Sequence, residues 1–130
     1  MTDERTQIDV ECKKVLDQFM DALNAYDALG MEAMMHFPHV RLAAGTVKVY
    51  EQPGSNPMDL FDRLKKEDTW KYSTWRTRDL VQFNQRKAHY MLSYTRFRSD
   101  NSVIGVYESL YALTFQEERW GIQLRSSFGP

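Results

Sequence analysis

Between His89 and Phe128 the chain runs through three stretches in which side-chain character alternates residue by residue, separated by the polar segments SDNS and QEER. Period-two alternation broken by turn-forming residues predicts an antiparallel meander. Strand side chains point alternately to opposite faces, so each run defines two surfaces. One surface carries Tyr90, Leu92, Tyr94 and Arg96 from the first run. It continues with Tyr107, Ser109, Tyr111, Leu113 and Phe115 from the second, and Trp120, Ile122, Leu124, Ser126 and Phe128 from the third. A fourth run over residues 69–85 predicts a preceding long strand, with Trp75, Thr77, Asp79, Val81 and Phe83 on one face.

Upstream the period changes. Ile8, Val15, Phe19, Ala22, Leu23 and Tyr26 recur at three- and four-residue steps, with Cys12 between the first two, which predicts an amphipathic helix over residues 6–29. MEAMMH predicts a short second helix over 31–36, stopped by Pro38. HVRLAAGTVKVYE reads as a hairpin turning at Gly45, and residues 58–67 as a helix capped by Asn56. Helices and a hairpin followed by four long strands predict an α+β domain, with a curved sheet covered by helices on one face. Nothing resembles a linker or a repeat, so residues 1–130 read as one domain.

Composition narrows the function. Seventeen Lys and Arg oppose eighteen Asp and Glu, and this neutral balance argues against a nucleic-acid partner. One cysteine, Cys12, leaves no intrachain disulfide or cysteine-rich metal site. No apolar run is long enough to span a membrane and no secretory leader is visible, so a soluble cytoplasmic protein is expected. Phosphate loops, nucleophile elbows and calcium loops are missing, and no cofactor or metal is expected.

The segments FMDALNAYDALGMEAMM (19–35) and LYALTFQEERWGIQLRSSFG (110–129) resemble the nuclear transport factor 2-like superfamily, which includes SnoaL-like proteins and ketosteroid isomerase. The resemblance spans nearly the whole chain. It implies a cone-shaped, cystatin-like fold, with a curved antiparallel or mixed sheet packed by N-terminal helices and a pocket between the first helix and the sheet. It also implies a homodimer through the outer sheet face. The positions matching the isomerase apparatus are Phe19, Tyr111 and about Ala43, none of them a carboxylate, so steroid-isomerase catalysis is not expected.

The candidate ligand-binding residues are Phe19, Arg41, Tyr94, Arg96, Tyr107, Tyr111, Leu124 and Phe128. Arginine in a cavity is costly unless it is paired or meets an anion, so Arg41 and Arg96 suggest a small, partly hydrophobic, anionic ligand. An internal ion pair with Asp79 or Glu108 is the bland alternative for them. Candidate catalytic groups are His39, Asp79 and Tyr111, for an isomerase, dehydratase or cyclase. The favoured reading of His39, however, is a residue that follows Pro38 in a turn and caps the start of the strand. A further alternative is a dimerisation domain whose cavity its own side chains fill.

Overall fold

The computed structural model describes residues 3–43, 45–54 and 69–128. The helix expected over 58–67 lies outside them. Helix α1 spans Glu4–Asn24 and α2 spans Ala28–Ala33. Six strands follow: β1 (Met35–Ala43), β2 (Thr46–Tyr50), β3 (Tyr72–Phe83), β4 (Lys87–Phe97), β5 (Val103–Gln116) and β6 (Arg119–Ser127). They form one sheet in the order β2-β1-β6-β5-β4-β3, antiparallel except where β1 runs parallel to β6. The α+β architecture with helices over one sheet face is thus present, and the sheet is mixed.

Helix α1 starts at Asp3, whose carboxylate accepts the Arg5 amide, relieving one of the donors a helix start leaves open. Its buried stripe of Ile8, Cys12, Leu16, Phe19 and Met20 packs on Tyr90, Leu92, Leu113, Trp120 and Ile122. The helix is tied to the edge strand β3 at its end: the Asn24 amide donates to the Ser73 carbonyl and accepts the Ser73 N–H, both at 2.8 Å. Trp70 and Arg78 reinforce that side, through Trp70 Nε1–H to Ser73 Oγ at 2.9 Å and an Arg78–Asp17 ion pair at 2.6 Å.

The second helix ends three residues earlier than its composition suggests, and a strand begins at Met35. Met35 pairs with Ile122 of β6, and the Ile122 N–H bonds the Met34 carbonyl at 2.8 Å. Helix nucleation is costly and a six-residue helix has few bonds to offer, so the sheet captures MHFPH. The Phe37–Pro38 peptide within it is cis.

Bulges on β3 and β6 decide which of their residues face the helices. On β3 the register steps over Arg76 and again over Val81. On β6 it steps over Gln123, because Ala112 faces Leu124 while Leu113 faces Ile122. Each bulge inserts one unpaired residue and reverses the alternation beyond it.

Candidate functional site

A row of polar side chains crosses the inner face of the sheet. Arg41 on β1 stands opposite Arg125 on β6, which stands opposite Tyr111 on β5. One step further, Ser127 faces Ser109, with hydroxyls 2.8 Å apart. From above, Phe19, Met20 and Leu23 of α1 and Met31 of α2 close over the row. Ser73, Trp75, Tyr94 and Arg96 complete the wall from β3 and β4. The cavity, partly open to solvent, has a volume of ≈ 50 Å³, taken as the space open to a water's centre. A single water needs roughly 10–15 Å³ by that measure, so the cavity is several times the space one water needs.

The aromatic walls interlock edge to face. Trp75 meets Tyr94 and Tyr111 with centroids 6.2 and 6.0 Å apart, and Phe19 meets Tyr111 at 6.3 Å. Such pairs contribute about 0.5–1.5 kcal/mol each beyond their buried area. The Arg96 guanidinium lies 4.6 Å from the Tyr107 ring centre and 5.6 Å from that of Tyr94, an arrangement favourable by up to about 2 kcal/mol once desolvated.

Charge among the described lining residues is one-sided. Three arginines line the cavity and, among the described residues, no carboxylate does. Arg41 Nε is buried without a hydrogen-bond partner among those residues. Burial first, then the nearby Arg125, lowers the Arg41 pKa, with Tyr111, Tyr50 and Tyr94 acting the other way. Arg125 donates from Nε to His39 Nε2 at 3.0 Å, and its guanidinium carbon lies 5.4 Å from the Phe19 ring centre. Burial pushes the Tyr111 hydroxyl up to about 12, although Arg125 and Arg41 pull it down.

The structure sorts the sequence candidates. Phe19, Arg41, Tyr94, Arg96 and Tyr111 come together around this cavity. Tyr107 stands outside it, backing the Arg96 guanidinium. Leu124 and Phe128 do not belong to it: the Gln123 bulge turns Leu124 to the outer face opposite Ala112, and Phe128 is 87% exposed. Asp79 is displaced in the same way. It follows the Arg76 bulge, lies exposed opposite Met91 on the outer face, and leaves Arg78 and Leu80 pointing inward. Glu108 is likewise exposed, so neither proposed acid is buried with the arginines. His39 is fully buried, but beneath the lining rather than in it, and burial, then Arg125, bring its pKa down to about 3. It is therefore neither a turn residue capping the start of a strand, since it lies within β1, nor a base open to the cavity.

Sequence reasoning missed Arg125, Ser127, Ser73 and Trp75 as lining residues. Strict alternation from Trp120 places Arg125 outside, and nothing in the composition of WGIQLRSSF announces the bulge that brings it in.

No family model matches the sequence, and no curated protein matches it. Solved structures do. A protein of unknown function with a cystatin-like fold from Nostoc punctiforme superimposes with a TM-score of 0.75 at 13% identity, over 92% of this chain and 89% of that one. An NTF2-like protein with a cystatin-like fold from Novosphingobium aromaticivorans gives 0.74 at 12% identity, over 98% and 90%. The chain has the nuclear transport factor 2-like fold. A candidate ketosteroid isomerase from Shewanella frigidimarina shares this NTF2-like fold, with a TM-score of 0.67 at 14% identity over 88% and 91%. At these identities the likeness extends to the NTF2-like architecture alone, and the chemistry of the cavity rests on its own residues.

Proposed function

We propose that the cavity binds a small organic anion, with an oxyanion head at Arg41 and Arg125 and an apolar body against Met20, Leu23 and Met31. The observation that carries this reading is the cross-strand pair of arginines with no carboxylate among the described lining residues. Like charges opposite one another on paired strands repel, and a buried, unpaired cation costs several kcal/mol. A carboxylate between the two forks offsets both costs with charge-assisted hydrogen bonds. The interlocked aromatic walls and the apolar roof favour a flat or short hydrocarbon body.

An isomerase or dehydratase reading has less support. It needs a base as well as a tyrosine acid: Tyr94 and Tyr111 line the cavity, whereas neither His39 nor Asp79, its candidate bases, does. A solid, self-filled interior is disfavoured by the ≈ 50 Å³ that the side chains leave open.

Thermal unfolding with matched acids and amides, benzoate against benzamide and butyrate against butyramide, tests the proposal. A ligand at a hundred times its Kd stabilises by about 2.7 kcal/mol. The acids are expected to raise the midpoint and the amides to leave it unchanged. Equal effects of acid and amide, or none at millimolar concentrations, would overturn the proposal.

A further inference from the structure

His39 has no access to the cavity, yet both its ring nitrogens are engaged. Nε2 lies 3.0 Å from Arg125 Nε, and Nδ1 lies 2.9 Å from the Ile122 carbonyl. An arginine N–H can only donate, so Nε2 must be the acceptor. The ring proton of the neutral imidazole is therefore on Nδ1, where it donates to Ile122. Both bonds cross from β1 to the bulged part of β6, on either side of Gln123. The ring itself is held between Phe37 and Tyr50, each with its centroid 6.3 Å away. The charged groups facing it are Arg125 and Arg41.

We propose that His39 is a positioning residue for the anion site: it fixes Arg125 by its Nε–H and turns the terminal amino groups of that guanidinium, which also meet the Tyr111 hydroxyl, toward the oxyanion. The anion half of this statement rests on the reading of the cavity given above; the His39–Arg125 linkage does not. A guanidinium held by Nε cannot swing away to solvent, so its fork meets a ligand pre-oriented, and less conformational entropy is lost on binding. The same linkage excludes His39 from proton transfer, because accepting a proton at Nε2 would break the bond to Arg125 and add a third cation beside two.

The test combines NMR of the intact protein with three variants. In the wild type, the His39 imidazole should stay neutral with its proton on Nδ1 from pH 8 to pH 5, and Arg125 should show a protected Nε–H signal. Glutamine places an amide oxygen near the Nε2 position, whereas asparagine reaches only as far as Nδ1. His39→Gln should therefore keep the protected Arg125 signal, and His39→Asn and His39→Phe should lose it. With benzoate as probe, and inorganic phosphate in parallel to separate a carboxylate site from a general oxyanion site, Asn and Phe should weaken binding about tenfold, with Gln near wild type. The linkage is overturned if wild-type His39 titrates above pH 5, carries its proton on Nε2, or if Arg125 Nε–H is unprotected; this arm needs only wild type. Loss of affinity by Gln equal to that of Phe would overturn the positioning role. Failure of wild type to bind either probe would instead count against the anion reading and leave the NMR result to judge the linkage.

Discussion

Arg41→Met separates the cost of the cavity from its use. Methionine keeps the apolar stem and roughly the reach of arginine but removes the charge. Two cations at a cross-strand spacing of about 6 Å, with an effective dielectric constant near 20, repel by about 3 kcal/mol. The partial exposure of Arg41 and entering water reduce this by half or more. Replacing buried ionic groups by apolar ones of similar volume gains about 1–4 kcal/mol where it has been measured. Together these give an expected gain of about 1–2 kcal/mol for the ligand-free variant, a rise of about 4–8 °C in the unfolding midpoint for a domain of this size. Its direction agrees with the lowered Arg41 pKa, which means that the fold disfavours the charged form. The assay is urea and thermal unfolding of wild type and variant, each with and without benzoate. The variant should be more stable alone and gain nothing from the acid. A ligand-free variant less stable by 1 kcal/mol or more would show that Arg41 is satisfied within the protein, and the argument for an anion would fall.

Other consequences follow from the same features. The His39 pKa, brought down to about 3 from 6.5 mainly by burial, means that the unfolded chain takes up a proton that the folded chain refuses. Stability is therefore fully present above pH 6.5 and falls as pH drops toward 3; between pH 7 and 5 wild type should lose about 2 kcal/mol more than His39→Phe in urea titrations. Equal losses would place the titration elsewhere. Cys12 is fully buried and its thiol is pushed up to about 12 by burial, then by Glu11 and Asp9. Its alkylation by iodoacetamide at pH 8 should run at least about a thousandfold slower than that of a free thiol, and a rate near that of free cysteine would contradict the packing. The outer sheet face exposes Met91, Val106 and Leu110, with Met91 directly opposite Leu110, and a homodimer through it is proposed. Leu110→Lys should shift sedimentation from dimer to monomer, and wild type sedimenting as a monomer at micromolar concentration would refute the dimer.

The strands and α1 were legible because their residue types repeat with a clean period, and long repeats are the least ambiguous signal a sequence carries. Tyr94, Arg96 and Tyr111 were assigned correctly to the inner face because β4 and β5 keep their alternation through these positions. Errors gathered where alternation fails. Asp79 lies beyond the Arg76 bulge, Leu124 and Phe128 beyond the one at Gln123, and Arg125 was placed outside for the same reason. A bulge is a property of strand pairing, so a single strand's sequence need not record it. The start of β1 was obscured differently: MEAMMH has good helix formers, but pairing of Met35 with Ile122, far away in the chain, outweighs local preference.

The amide of Asn24 has a meaning for the fate of the chain in a crowded solution. β3 is an outermost strand, and its unpaired peptide groups could template pairing with a neighbouring molecule. By giving and taking a hydrogen bond at Ser73, Asn24 imitates the peptide of a missing next strand. The side chain that fastens the end of α1 to β3 thus also occupies part of an edge open to pairing with a neighbouring molecule.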